Sequence, residues 1–353
     1  MARAKMPPTV YEHKADSPIL QKALQQTLPN SVSLTYRTQH TNKTPDAHIV
    51  ATFPPFSQDI PKCWATCYYD RSMRPETEMW IFATGEIEGH HSSPDGGFCP
   101  QCQNAVLAIV DYLSILPVPP MHPDNLYKID MAKEHEKEYP ETGDHVRYPL
   151  TSGSYLRHLL IPSVVTLGAC HHAIVKIFDE AGLLRNEFPG KEADLNKFIF
   201  KVSDLPQTKE LPENLHWGTV REEDIATVQA RTSIPRTTRT LMSMKSVGVF
   251  NDKDTPAAWT FLGLDGSLTT LHTEPEHRGK GIAKAVAAKT FRQYAPGLAV
   301  DTEGNAWAHA DVYAGNVQSE GVCRSLGGRI GWKSFWVRID VGRAGQLAAT
   351  DES

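Results

Sequence analysis

The stretch SLTTLHTEPEHRGKGIAKAVAAKTFRQY, from Ser267 to Tyr294, decides how this chain is read. A strand-like segment breaks at Arg278-Gly279-Lys280-Gly281-Ile282-Ala283. The residues beyond the break have helical spacing, with Ile282, Val286, Ala287 and Phe291 on one stripe and Pro296-Gly297 as the stop. Without Cβ atoms at 279 and 281 the backbone turns sharply and can approach a ligand closely. Free N–H groups then stand at a helix N-terminus, where the macrodipole favours anions. The pattern is that of a phosphate cradle, although a bare Gly-x-Gly is equally a tight turn that binds nothing. Neither G-x-x-x-x-G-K-[ST] nor G-x-G-x-x-G with a distant acid is present.

The wider arrangement is more specific. Glu274-Pro275-Glu276 followed by Arg278-x-x-Gly281-x-Ala283 resembles the acyl-CoA loop of the GCN5-related N-acetyltransferases. Val312, Asn316, Ser319 and Leu326-Gly327-Gly328 resemble that family's fifth strand, its next helix and the turn out of it. The resemblance implies that backbone amides of about 279–283 hold the coenzyme A pyrophosphate. The coenzyme-binding set it implies is Leu271, His272, Thr273, Arg278, Gly279, Lys280, Gly281, Ile282, Ala283, Asn316 and Ser319. It also implies an α/β fold with a mixed α+β sheet.

The 353 residues suit two domains, and 40% hydrophobic with 22% charged residues is an ordinary globular composition. The formal charge of −5 comes from mixed signs with no basic stripe, so nucleic acid is not an expected partner. The first residues lack a signal-like apolar core and no run has the length of a membrane span. A soluble, cytoplasmic protein is expected. Six cysteines are too sparse for a disulfide scaffold. Four of them, Cys63, Cys67, Cys99 and Cys102, cluster with His90 and His91 between, a set that tetrahedral zinc could use. Cys63 and Cys67 lie in a strand-like stretch where four residues span about 13 Å, a poor spacing for two ligands. Free thiols are therefore expected, and no metal.

Along the chain, a short helix at 17–28 precedes strands expected at 31–38, 47–53, 63–70 and 78–85. After a Gly-rich loop, 104–116 reads as a helix. Residues 117–150 are Pro-rich and then charge-rich, hence a surface excursion. A helix is expected within 154–185, where His171 and His172 read as packed helix residues, and a strand at 196–204. This layout repeats that of the C-terminal half without its glycine loop. We read 1–204 as a degenerate copy of the same fold, 205–214 as a Pro-bounded linker, 215–342 as the acyl-CoA-binding domain and 343–353 as a mobile tail. Such a tandem resembles the glycine N-acyltransferase branch and its fungal relatives.

The resemblance implies direct attack of an amine on a thioester, so acetyl-CoA or another acyl-CoA is the expected co-substrate and a small-molecule amine the expected acceptor. An oxyanion donor would be a backbone N–H at about Leu271–Thr273. The catalytic Glu of the glycine acyltransferase pattern is replaced by Ser267, which leaves His272, Asp265 and Asp311 as candidate bases, or no base at all for an amine that arrives neutral. By strand periodicity His272 and Ser267 are expected on opposite faces. The family's acidic Tyr, seven residues after Asn316, is Cys323 here. That thiol and Tyr313 are the candidate acids, and Cys323 is equally read as a small packed residue. The missing Glu and Tyr also motivate a rival reading, a non-catalytic acyl-CoA-binding or scaffold protein. Oligomeric state is not legible.

Overall fold

The computed structural model describes residues 7–90, 97–143, 145–188, 190–232, 234 and 236–348. In chain order the elements are β1 (Tyr11–Glu12), α1 (Pro18–Gln26), α2 (Val32–Gln39), β2 (His48–Ala51), β3 (Ala65–Tyr69), β4 (Met79–Ala83), α3 (Pro100–Ser114), α4 (Tyr127–Glu138), α5 (Ser152–Leu156), β5 (Val164–His171), α6 (His172–Glu180) and β6 (Leu195–Lys201). There follow β7 (Leu215–Gly218), α7 (Ile225–Ala230), α8 (Thr238–Ser243), β8 (Lys245–Asn251), β9 (Pro256–Leu262), β10 (Leu268–Thr273), α9 (Ile282–Tyr294), β11 (Trp307–Tyr313), α10 (Val317–Ser325) and β12 (Arg329–Asp340). The architecture is the expected mixed α/β one.

Two compact units interleave along the chain. One holds the chain up to Ala23, Lys43–Leu195 and everything from Lys333 on; the other holds Leu24–Asn42 and Asn196–Trp332. In the first unit β1, β2, β3 and β4 pair antiparallel in sequence order, and β4 meets β5 in parallel at Met79↔Leu167. The last part of β12 adds antiparallel to β5, from Ser334↔His171 to Asp340↔Val164. Helix α3 packs Val106, Ile109, Val110 and Leu113 into this unit's core. In the second unit β7, β8, β9 and β10 pair antiparallel, and Ser267, the residue just before β10, makes an isolated parallel bridge to His309 of β11. Helix α9 buries Ile282, Val286 and Phe291 against Val247, Ala258 and Leu262. Each unit thus runs an antiparallel meander, a helix, and a strand that joins in parallel at a short contact.

Several elements differ from the sequence expectation. Residues 31–38, expected as a strand for their alternating Val, Leu and Tyr, form α2. The hydroxyls of Thr35 and Thr38 bond back to the carbonyls of Ser31 and Leu34 at 3.1 and 3.0 Å, and six of the eight helical residues are buried. Burial on nearly every side overrides β propensity there. The helix expected across 154–185 divides: Val165 and Leu167 lie on β5, which is buried throughout, and Ile174 and Ile177 on α6. A fully buried strand carries no alternation to tell it from a buried helix. His171 ends β5 and caps α6, its Nδ1 accepting from Ala173 N at 3.1 Å. The 117–150 excursion contains a two-sided helix, α4, of which Ala132 and His135 are buried. The tail is docked rather than mobile as far as Ala348, since the Asp111 carboxylate accepts from Gly345, Leu347 and Ala348 N–H at 2.7, 3.1 and 2.9 Å. Among the described residues no helix is long and apolar enough to cross a membrane.

Candidate active site

The site is built on β10. Its pairing with β9 runs Leu268↔Leu262 and Thr269↔Phe261, then His272↔Trp259 and Thr273↔Ala258, so Thr270 and Leu271 together oppose Thr260. This is a β-bulge, and Thr270 takes φ of 55° to make it. The extra residue resets the alternation. Gly263 N donates to Ser267 O at 2.8 Å, and Gly263 stands four residues from Trp259, the partner of His272. Opposed residues share a face, so His272 and Ser267 lie on the same side. The expectation of opposite faces is corrected: period-two counting fails across an inserted residue.

On that face the His272 ring stacks on Trp259 at 4.8 Å, and its Nε2 lies 3.6 Å from a Glu274 carboxylate oxygen. The other Glu274 oxygen accepts from Arg231 Nε at 2.9 Å, and Arg236, just ahead of α8, reaches Thr269 Oγ1 at 3.5 Å. Trp259 Nε1, His272 Nε2 and Thr273 Oγ1 are buried without a hydrogen-bond partner among the described residues. Native structures seldom leave such atoms unmet, and a bound ligand would satisfy them. Sequence reasoning took Glu274 only as part of the loop signature; its pairing with His272 comes from the turn that β10 makes at its end.

After β10 a tight turn leads into the glycine loop, and Arg278 Nε anchors it by donating to Thr273 O at 3.0 Å. Gly279 and Gly281 have φ of 74° and 80°, and Gly281 is the N-cap of α9, accepting from Ala285 N at 3.1 Å. A Cβ at either glycine would meet nothing within 4 Å. Glycine is needed there for its left-handed backbone, and the space in front of the loop is open. The N–H groups of α9's first turn face that space, with Arg278 and Lys280 exposed beside them. The donors fit an anion such as a pyrophosphate.

The other expected residues divide into two groups. Asp265 and Asp311 are brought together at the closed end, where β10 and β11 touch. Asp265 Oδ1 accepts from the Ser267 hydroxyl at 2.6 Å, and its carbonyl from His309 Nε2 at 2.8 Å. Burial by itself raises the Asp265 carboxyl, but His309, Lys197 and the Ser267 hydroxyl outweigh it, and the net displacement is downward. Asp311 pairs with Lys197 at 2.9 Å, the two side chains only 3% and 2% exposed, and Lys197 also donates to Ser33 Oγ at 3.0 Å. Nothing in the sequence marks Lys197 beyond its being a lysine inside a hydrophobic strand. Removing one member of a buried pair strands the other charge, so Lys197→Met should cost about 3–5 kcal/mol in urea unfolding of the full chain, and adding Asp311→Leu should recover most of it.

At the open end, Tyr313 closes β11 half-exposed and Asn316 caps α10, its side-chain oxygen accepting from Ser319 N at 3.1 Å. Cys323 is the buried residue of α10, in the apolar cluster with Val312 and Leu326, and burial pushes its thiol up to about 12. Of the two readings of Cys323, packing is the one its surroundings match.

A bulged strand, a glycine turn at a helix N-terminus and a parallel neighbour ending near an Asn cap agree with the comparisons to known proteins. Residues 7–199 match the family described as acyl-CoA N-acyltransferase verG N-terminal domain, and residues 246–337 match FR47-like protein. The chain belongs to the GCN5-related N-acetyltransferase superfamily, in its tandem layout. It belongs to the verG-type acyl-CoA N-acyltransferases, a family that uses acyl-CoA as co-substrate. No curated protein matches. Among solved structures, a Drosophila protein is 12% identical with a TM-score of 0.56, covering 94% of this chain and 99% of its own, which shows the fold. A GCN5-related N-acetyltransferase from Sphaerobacter thermophilus is 11% identical over 97% of this chain and 95% of its own, TM-score 0.41. A tandem protein of this superfamily from the clavulanic acid biosynthesis pathway is 10% identical over 94% and 97%, TM-score 0.40.

Proposed function

We propose that the second unit of this N-acyltransferase moves an acetyl group from acetyl-CoA to a primary amine of a small molecule or amino acid, by direct attack in a ternary complex. The observation that carries this reading is the left-handed Gly279-x-Gly281 turn at the N-terminus of α9, directly after the bulged β10. The loop amides and Arg278 hold the pyrophosphate. The thioester lies along β10, where a backbone N–H at about Leu271–Thr273, beside the bulge, receives the developing oxyanion.

His272 is the base of choice among the three candidates. Asp265 and Asp311 are tied into the closed end, whereas His272 has Glu274 beside it to stabilise the imidazolium formed when it takes the amine's proton, directly or through water. Collapse of the tetrahedral intermediate releases the coenzyme A thiolate, and Tyr313 supplies its proton. Cys323, buried and pushed to about 12, is a poor donor.

The test is titration of the full chain with acetyl-CoA, followed by thiol release over a panel of amines, amino acids and polyamines. Binding with acceptor-dependent release supports the transferase, while binding without release for every acceptor favours the rival acyl-CoA-binding reading. Tyr313→Phe should lower turnover about 10²-fold with acetyl-CoA affinity unchanged, and Cys323→Ala should leave turnover nearly intact.

A further inference from the structure

The first unit places three of its cysteines together where the second unit has its glycine loop. Cys63 precedes β3, and Cys99 and Cys102 open α3, the helix that comes after β4 as α9 comes after β10. Their three sulfur atoms lie within 4.8 Å of one another. Cys63 Sγ is 3.7 Å from Cys99 Sγ and 3.6 Å from His90 Nε2, so His90 approaches from the Cys63 side. Cys67, the fourth cysteine of the sequence cluster, is not part of this group: it is fully buried on β3 with its thiol donating to Tyr68 O. His91 lies outside the described residues.

The distances exclude a disulfide and match the edges of a coordination shell. A disulfide requires about 2.05 Å between sulfurs, and the Cys63–Cys99 separation of 3.7 Å is far outside it. Around zinc, with Zn–S of about 2.3 Å and Zn–N of about 2.0–2.1 Å, tetrahedral edges are about 3.8 Å for S···S and about 3.6 Å for S···N. The two separations made by Cys63 fall on these edges, while His90 stands more than 4.8 Å from at least one of the other two sulfurs and turns in to complete the shell. The surroundings also fit. The backbone N–H groups of Gln101 and Cys102 point at the Cys99 sulfur, and Thr84 Oγ1 lies 3.5 Å from Cys102 Sγ, contacts that orient and stabilise thiolates. Phe98 packs on Gly85, where a Cβ would come within 2.6 Å of its ring, and belongs with Cys99 and Cys102 to the same buried apolar cluster.

We infer that Cys63, Cys99 and Cys102, completed by His90, form a structural zinc site in the first unit. Zn²⁺ displaces the three thiol protons and takes three sulfur ligands and one neutral imidazole nitrogen, with no oxidation of any group. The site ties the segment before β3 and the connection after β4 to the start of α3. It puts a closed, fully ligated shell at the helix N-terminus that in the other unit is open. The expectation of no metal gives way here because it rested on a set that included Cys67, which strand geometry keeps out, whereas His90 takes the fourth place.

The test is elemental analysis of the full chain, purified without a metal-affinity step, and its visible spectrum after growth in cobalt. The expected result is one zinc per chain, released on titration with an organomercurial thiol reagent, and a cobalt form with tetrahedral d–d bands and thiolate charge transfer. Cys63→Ser and Cys99→Ser should lose the metal, His90→Ala should retain it more weakly, and Cys67→Ser should keep it fully. If the cysteine variants fail to fold, the wild-type metal content and cobalt spectrum decide alone. Metal-free wild-type protein with no thiolate–cobalt band, a mapped Cys63–Cys99 disulfide, or metal retained undiminished in Cys99→Ser would each overturn the site.

Discussion

Gly281→Val should abolish acetyl-CoA binding in titration calorimetry while leaving the protein's unfolding cooperative. At φ of 80° an L-residue is strained, by about 1–2 kcal/mol and more for a β-branched side chain. That alone is worth about tenfold in affinity if the loop relaxes to relieve it. The larger effect comes from position. The added side chain enters the open space in front of α9's first turn, which the phosphates need, and turns the N–H groups away from their common focus. Gly297→Ala is the matched control, because nothing lies within 4 Å of its Cβ position and its φ is ordinary. It should bind acetyl-CoA like the wild type. Equal affinity in Gly281→Val would remove the loop from the binding site, and with it the placement of the reaction.

The second large effect concerns turnover. His272→Ala should lower kcat by about 10²–10⁴-fold, the usual worth of a positioned general base, with acetyl-CoA affinity unchanged. Glu274→Gln keeps the shape of the pair but removes the charge 3.6 Å from the ring, so it should give a smaller loss. Free imidazole added to His272→Ala should restore part of the lost rate if the ring acts as the base, and a merely structural role would leave the variant unrescued. If His272→Ala, Asp265→Ala and Asp311→Ala all turn over normally, the acceptor arrives as a free amine and the protein supplies no base.

Much of this molecule is legible from local pattern. The glycine loop, α9 with its stripe, and the Asn316 cap are each determined within a dozen residues, because φ > 0 at Gly279 and Gly281 and a 3.6-residue period are local facts. The division into two similar halves is visible in the repeated order of strands, helix and strand. The bulge is not: Thr270 and Leu271 look like ordinary strand residues, and only the register against β9 shows that one of them is extra. That slip places His272 on the face of Ser267. The buried Lys197–Asp311 pair escapes for a related reason, since its partners are 114 residues apart.

The sequence by itself determined the superfamily, the glycine loop and the helix it opens, because the motif rests on backbone conformations that a few residues dictate. Only the tertiary structure decided which cysteines meet, which carboxylates are committed to ion pairs, and on which face of the bulged strand His272 stands. Those outcomes depend on strand register and on which distant segments pack together, and neither is encoded in spacing along the chain.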